Sequence, residues 1–556
     1  MKKPLLSEMT LREKIGQTVA MSPRVMAKVT DIDEFFKKYP YGNMWNAGHM
    51  NLDFVNLAEE VANAENIDYD IDIKIRLFSE QASRNLKAPF VSAMDAERGC
   101  RRSFPFFSDT PSNNGLAATR DTKAAYEIAK CIAHELKLSG VRWDWGPVCD
   151  NPSPFRAVSL TRGFSSDVDL SIDMIKEYVK GVQSENVAAC LKHFPGCDKN
   201  EYRDTHFAEA VINDSYDVWW ERQGRIFQAA IDSGVYSIMI QHDAFPAVDN
   251  TQIDVRYVPA TLSKNIVTDL LKNKMGFKGV VITDAVEMRA LTSMFTTRED
   301  FLAALYNAGN DVILGPTNED FFEVVEEAVR NGKIPESRID DACQRVLDMK
   351  EKLGLFDCDI VYPVTQEDRE EARANTAATV TKYAPKVLTW MARKNNLVPI
   401  KKENVKKVML VYIGYSNDIF KNVCVVSEEF EKYGATVDFC EGIRGEAHMK
   451  EIADNYDLIL YFNHLAPHMP YGGASFFLEK ATQFLYVLMY GAEKSICIAT
   501  GSPFVYYDWF SASAKNYINA YTSDAATMKA MVRGFYGECE FTGVCPYDPN
   551  PLAPRS

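Results

Sequence analysis

Ala188-Ala-Cys-Leu-Lys-His193, Ser237-Ile-Met-Ile-Gln-His242 and Gly279-Val-Val-Ile-Thr-Asp284 are three short apolar runs, each closing on an ionisable side chain. Runs of this length with β-branched residues read as buried strands. Between them lie Tyr216–Ser233 and Lys264–Lys274, where apolar residues recur at three- and four-residue spacing, as on a helix packed against a sheet. Strand–helix–strand alternation calls for a parallel sheet. Working outward, the same alternation yields further strands at Gln17–Met21, Gly42–Trp45, Phe90–Asp95, Val141–Trp145 and Asp311–Leu314, and further helices at Lys123–Leu138 and Leu170–Glu185. Eight strand–helix units over some 360 residues predict a closed (β/α)8 TIM barrel, an open doubly wound sheet being the alternative.

Beyond the barrel, Ile339–Leu355 reads as another helix, punctuated by Gly354 and Pro363. Glu367–Arg393 reads as a connector helix. Strands are then expected at Lys407–Gly414, Thr436–Phe439, Leu458–Asn463, Ser495–Thr500 and Tyr517–Tyr521, with helices between them. This second domain is expected to be a smaller α/β sandwich. The expected division is residues 1–360 for the barrel, 361–393 for the connector and 394–556 for the second domain, with Pro546–Ser556 as an extended tail. His464 and His468 stand at a metal-like spacing after the Leu458–Asn463 strand, a pattern that an ordinary surface loop also produces.

Composition narrows the function. The chain has 556 residues, 46% hydrophobic and 25% charged, with a formal net charge of −15. An acidic balance argues against nucleic acid and anionic membranes as partners, since both demand a basic face. No apolar run approaches the length that crosses a bilayer. In the opening segment, Pro4 and Glu8 interrupt any signal-peptide core. The twelve cysteines form no CxxC pair, so reduced, mostly buried thiols are expected, with no metal site and a cytoplasmic location. Nothing excludes a homo-oligomer.

The ionisable residues fall where a barrel does its chemistry, at the carboxyl ends of strands. These are Asp95 after the third strand, Asp144 and Asp150 at the fourth, Lys192 and His193 at the fifth, His242 and Asp243 at the sixth, and Asp284 at the seventh. Any one of them is an ordinary loop entry or helix cap; the convergent set is not. The segment after the fifth strand, Leu191-Lys-His-Phe-Pro-Gly-Cys-Asp-Lys-Asn-Glu-Tyr-Arg-Asp204-Thr-His206, is a polar loop following a buried strand. In an extended backbone, Asp204 and His206 face the same way. The carboxylate can then hold one ring nitrogen while the other exchanges a proton. An Asp-x-His in a surface loop is, taken alone, unremarkable.

Taken together these residues resemble glycoside hydrolase family 3, and within it the β-N-acetylglucosaminidase branch. Met9-Thr-Leu-Arg-Glu-Lys-Ile-Gly-Gln17 is similar to the family's opening segment, Lys192-His-Phe-Pro-Gly196 to its substrate loop, and Asp204-Thr-His206 to the dyad that marks the N-acetylglucosaminidases. Pro259-Ala-Thr-Leu-Ser263 followed by Gly276-Phe-Lys-Gly-Val-Val-Ile-Thr-Asp284 resembles the nucleophile segment, with Met288 as its downstream methionine. Ala308-Gly-Asn-Asp311 and Arg338-Ile-Asp340 also match. The resemblance implies an exo-acting, retaining enzyme that removes terminal N-acetylglucosamine from oligosaccharides or cell-wall fragments, without a cofactor. Asp284 would be the nucleophile and His206, oriented by Asp204, the acid/base. Asp95, Arg162, Lys192, His193, His242 and Met288 would line the sugar site, His242 standing equally well as a core histidine. Most retaining glycosidases pair two carboxylates about 5 Å apart. An imidazole, with an ordinary pKa near 6.5, differs from a carboxylate in not repelling an anionic acceptor. Phosphate in place of water is therefore an alternative, making a phosphorylase; a β-glucosidase or β-xylosidase is another. The chain departs from the family where Cys197-Asp198 replaces His-Gly, and where Glu97-Arg-Gly-Cys100 replaces Glu-Gly-Gly-Arg. The latter leaves Arg101 and Arg102 both as candidates for the next sugar-binding arginine.

Overall fold

The structure is a computed structural model of the 556-residue chain. It describes all residues except 27–28, 46–70, 152–158, 160, 293, 317–319, 358–363, 415, 466–477, 506–512 and 548–556. The chain falls into two compact units. One comprises Met1–Phe107, Ala129–Asn151 and Ile175–Asn375; the other comprises Ser108–Ile128, Pro152–Met174 and Thr376–Ser556.

The first unit is a parallel eight-stranded barrel. Its strands are β1 (Val19–Met21), β2 (Asn43–Trp45), β3 (Val91–Met94), β4 (Val141–Asp144), β5 (Ala188–Phe194), β6 (Ser237–Ile240), β9 (Val280–Thr283) and β10 (Ile313–Leu314). A small antiparallel hairpin, β7 (Gln252–Ile253) and β8 (Arg256–Tyr257), is inserted after β6. The sheet order is β10-β1-β2-β3-β4-β5-β6-β9. A parallel bridge between Ile282 and Val312 joins the two ends, with Thr283 N–H donating to the Val312 carbonyl at 3.0 Å. All eight strands lie where the apolar runs predict them. Each, the seven-residue β5 included, is buried throughout or nearly so, as parallel strands covered on both faces must be. Val91, Ala93, Trp143, Cys190, Met239, Val280 and Ile282 belong to the packed interior. The buried Trp143 indole donates to Ser237 Oγ at 2.7 Å, so the large ring enters the core without an unpaired N–H.

The helix expected over Tyr216–Ser233 runs through a π turn at Trp220–Gly224, and the one expected at Lys264–Lys274 is π-wound over Asn265–Lys274. Ala308-Gly-Asn-Asp311 and Arg338-Ile-Asp340 turn out to form one structural lock. The fully buried Asp311 carboxylate accepts from Lys272 Nζ at 2.7 Å, from Val281 N–H at 2.9 Å and from Arg338. Burying a carboxylate demands such a saturated set of donors.

The second unit holds a six-stranded sheet in the order β11-β16-β15-β14-β12-β13. Its strands are β11 (Thr389–Arg393), β12 (Lys407–Ile413), β13 (Thr436–Cys440), β14 (Leu458–Asn463), β15 (Ser495–Ala499) and β16 (Asn516–Asn519). Apolar clusters lie on both faces, one around Leu410 and Leu460, the other around Val411 and Tyr461, as in a sandwich with helices on each side. The expected connector helix is shorter than predicted. It covers Gln366–Val387 with Pro385 in its last turn, and Thr389-Trp-Met-Ala-Arg393 is instead an edge strand antiparallel to β16. Proline ends the helix, and a β-branched and aromatic pair opens the strand. His464 is buried, its Nδ1 3.0 Å from Thr500 Oγ1; His468 lies outside the described residues, as does most of the expected tail. No described helix is long and apolar enough to cross a membrane.

Candidate active site

The carboxyl ends of β3, β4, β5, β6 and β9 carry the ionisable residues singled out by the sequence. Lys192, in β5, is buried. Its ammonium bridges Asp95, just past β3, and Glu97, the latter at 2.9 Å. Asp95 remains 41% exposed, so its carboxylate is held by the lysine yet open to a hydroxyl-bearing ligand. Beneath this pair Asp144 is fully buried and accepts from Ala96 N–H at 3.2 Å. Burial pushes its carboxyl up to about 7; the Ala96 amide and Lys192 pull against that, and Asp95 and Glu97 push with it.

His193 is clamped by Asp150, which accepts from its backbone N–H at 3.2 Å and lies 2.6 Å from its Nδ1. A carboxylate only accepts, so Nδ1 carries the hydrogen. The backbone is cis at Lys192–His193 and Phe194–Pro195. Beyond this point the Phe-Pro-Gly turn is pinned by Trp219 Nε1, which donates to the Pro195 carbonyl at 2.6 Å, and by Gln241 on the Gly196 carbonyl. Gly196 has φ +97°, and a Cβ there would strike Gln223. Cys197, where the family usually has histidine, is buried, with Sγ 3.8 Å from the Asn151 carbonyl.

The loop continues to the Asp204–His206 pair. Asp204 Oδ1 accepts from His206 N–H at 2.9 Å and lies 2.6 Å from His206 Nδ1. The Asp204 side chain is 2% exposed and that of His206 37%, so a buried anion orients a ring that reaches solvent. The same carboxylate-only argument assigns the Nδ1 hydrogen. Two acidic residues not singled out by the sequence hold this loop. Glu201, buried, accepts from Arg203 N–H at 2.9 Å, from its guanidinium at 2.8 Å and from Val211 N–H at 3.1 Å. Asp198, also buried, accepts from Asn200 N–H at 2.8 Å and Asn213 N–H at 2.9 Å. A sequence signal existed, two acids in a polar loop, but it does not separate a brace from a solvated surface group.

Asp284 stands half-buried at the end of β9, with Ala285 N–H donating to Oδ1 at 2.7 Å. Burial pushes its carboxyl up, but His193, His242, the Ala285 amide and His206 together outweigh this and hold it below the ordinary carboxylate value. Three imidazoles, from β5, from the segment just past β6 and from the loop after β5, therefore oppose the effect of burial on one carboxylate. The dyad loop is docked on the turn after Asp284: Arg289 N–H donates to the His206 carbonyl and Ala290 N–H to the Thr205 carbonyl, both at 3.4 Å. Thr205 Oγ1 lies 3.9 Å from Met288 Sδ, which makes Met288 a bolt between these two segments. His242 is satisfied at both nitrogens, Nδ1 at 2.6 Å from Thr261 Oγ1 and Nε2 at 3.0 Å from the Ala285 carbonyl. Burial keeps it below the ordinary histidine value, against the pull of Asp284. It is a buried histidine that braces the peptide following Asp284.

Arg162 belongs to the second unit, where its carbonyl accepts from Asn113 Nδ2 at 2.8 Å. Arg101 and Arg102 are both exposed in the turn after Asp95, and neither is distinguished by its position.

Residues 10–349 match the profile of the glycosyl hydrolase family 3 N terminal domain. The beta-N-acetylglucosaminidase/beta-glucosidase of Cellulomonas fimi is 25% identical over 491 residues, covering 83% of this chain and 84% of that protein. A probable beta-glucosidase C of Aspergillus flavus is 28% identical over 386 residues, 65% of this chain and 58% of the fungal one. Two solved structures share the fold. One is the beta-glucoside phosphorylase BglX bound to 2FGlc, with TM-score 0.81, 24% identity, and coverage of 98% of this chain and 95% of that one. The other is a glycoside hydrolase family 3 beta-N-acetylglucosaminidase from Paenibacillus sp. str. FPU-7, with TM-score 0.77, 22% identity, and coverage of 97% and 99%. With more than half of its length matching the family profile, and a barrel whose strands β5 and β9 carry or lead into Lys192, His193 and Asp284, the chain belongs to glycoside hydrolase family 3.

Proposed function

We propose that the chain is a retaining, exo-acting β-N-acetylglucosaminidase. The observation that carries this reading is the Asp204–His206 pair, hydrogen-bonded through its loop to the turn after Asp284. A relative named for both N-acetylglucosamine and glucose activity, the Cellulomonas fimi protein, is in keeping with it. Asp284 attacks the anomeric carbon while His206 Nε2 gives its proton to the leaving glycosidic oxygen. The C–O bond breaks, an Asp284–sugar ester forms, and the aglycone leaves as a neutral alcohol. His206, now neutral, takes a proton from water as that oxygen attacks the same carbon; Asp284 departs as carboxylate and the configuration is retained. Asp204 offsets the charge that comes and goes on the ring. Asp95 and Lys192, held in one ion pair, accept from and donate to the hydroxyls of the terminal sugar. His193, fixed by Asp150, presents its other ring nitrogen to the same sugar and lowers the Asp284 pKa.

The test is release of nitrophenol from the p-nitrophenyl β-glycosides of N-acetylglucosamine, glucose and xylose, each with and without millimolar phosphate. The N-acetylglucosaminide is expected to be hydrolysed fastest, with free sugar as product. Asp284→Ala is expected to lose at least about 10³-fold in kcat, as removal of a nucleophile does. Full activity in Asp284→Ala overturns the assignment. Phosphate-dependent formation of the sugar 1-phosphate replaces hydrolysis by phosphorolysis at the same site, a reaction that an imidazole acid/base accommodates because it does not repel the anion.

A further inference from the structure

Phe207 directly follows the histidine assigned to proton exchange, and the residue is 56% exposed. Leaving a phenylalanine in water forgoes about 1.5–3 kcal/mol of burial. The other phenylalanines of this region, Phe194, Phe227 and Phe245, are buried. The Phe207 ring centroid lies 6.3 Å from that of His206 with the planes tilted by 37°. Its mount is firm. Phe207 N–H donates to the Asp204 carbonyl at 3.0 Å and Ala208 N–H to the same carbonyl at 2.8 Å, closing a tight turn. Arg256 of the β7–β8 hairpin reaches Glu209 at 3.0 Å, and Ala244 exchanges backbone bonds with Ala210 and Ile212 at 2.9 and 2.8 Å. An exposed ring on a mobile loop would be incidental; this one is held in place beside the group that hands a proton to the leaving oxygen.

We infer that Phe207 is a platform for the leaving group, stacking on the pyranose ring of the second sugar of the substrate. This rests on the reading of His206 as acid/base. An acid that protonates the glycosidic oxygen stands on the aglycone side of the bond, so the ring next to it meets the departing group and not the sugar attacked by Asp284. An aromatic face packs against the C–H face of a pyranose with little loss of side-chain entropy. Phe207 therefore selects leaving groups that carry a ring, and it contributes nothing to the second half-reaction, from which the aglycone has gone.

The test compares three donors of one sugar: β-N-acetylglucosaminyl fluoride, whose leaving group has no ring; the 2,4-dinitrophenyl β-glycoside, which has a ring but needs no acid; and the β-1,4-linked disaccharide, which has a ring and needs the acid. Phe207→Ala is expected to lower kcat/KM roughly fivefold to tenfold on both ring-bearing donors and to leave the fluoride unchanged, with Phe207→Trp restoring the loss. Loss on the disaccharide alone overturns the proposal, because it assigns Phe207 to placing His206. Equal rates in wild type and variant on all three donors overturn it as well. The wild-type rate on the fluoride reports separately on Asp284, so a failure of the proposed function is visible in that arm and a failure of the platform only in the ratios.

Discussion

Asp284 shows how single residues set the working pH. Its carboxyl is desolvated, which alone would raise its pKa, yet His193, His242, the Ala285 amide and His206 bring it below the ordinary value. A nucleophile of lowered pKa stays ionised further into acid, so the acid limb of kcat/KM is expected to lie below the ordinary carboxylate range. Replacing His193 by alanine removes the strongest of the opposing charges; the Asp284 pKa rises and the limb moves to higher pH. A pH–rate profile of His193→Ala whose acid limb coincides with that of wild type contradicts this account. At this scale much of the site was legible, because a barrel places chemistry at strand ends and Asp95, Lys192, His193, His242 and Asp284 each close an apolar run. What was not legible is how each group is partnered. The partners of His242, Thr261 and the Ala285 carbonyl, stand nineteen and forty-three residues away in sequence.

Among the elements, the loop from Gly196 to Asn213 carries the heaviest functional demand with the least regular structure. It is held by the buried carboxylates of Asp198 and Glu201, whose partners are mainly backbone amides. Replacing Glu201 by alanine frees Val211 N–H and the Arg203 guanidinium, which loosens the mount of Asp204 and His206. The expected result is a loss of about tenfold in kcat on poor leaving groups, little change on the dinitrophenyl glycoside, and a stability loss of about 1–3 kcal/mol. Equal losses on good and poor leaving groups would contradict a role through His206. Backbone-directed carboxylates carry no spacing signature, which is why these two braces were not legible. The strand β11 and the hairpin β7–β8 were missed for a related reason. Thr389–Arg393 continues a helical stretch without a polar break, and two-residue strands are too short to show any period. The hairpin turns at Asp254, with φ +57°, a conformation that aspartate tolerates and that no pattern of apolar residues announces.

At the scale of the whole chain, every barrel strand lies within two residues of its expected position, because hydrophobic burial on both faces writes each parallel strand as a plain apolar run. The same burial creates a charge that no periodicity reveals. Lys350 is fully buried in the helix Glu336–Lys352, where its ammonium donates to Gln17 Oε1 at 2.6 Å and to the Gly42 carbonyl at 3.0 Å, both neutral acceptors. Burial pushes its pKa down to about 7. Because the folded value lies below the unfolded one of about 10.4, the unfolded chain binds more protons between these two pH values. Stability of the barrel unit is therefore expected to rise with pH from about 7 towards 10, with a slope of up to about 1.4 kcal/mol per pH unit from this one group, and to carry its full penalty below pH 7. Lys350→Met removes the titration and with it that slope, whatever the substitution does to the absolute stability through Gln17 and Gly42. Denaturant unfolding of the two proteins at a series of pH values from 7 to 9.5 measures the difference directly. Parallel curves for variant and wild type would show that the lysine keeps its proton in the fold as it does in the unfolded chain, and that the alkaline side of the stability profile has another origin.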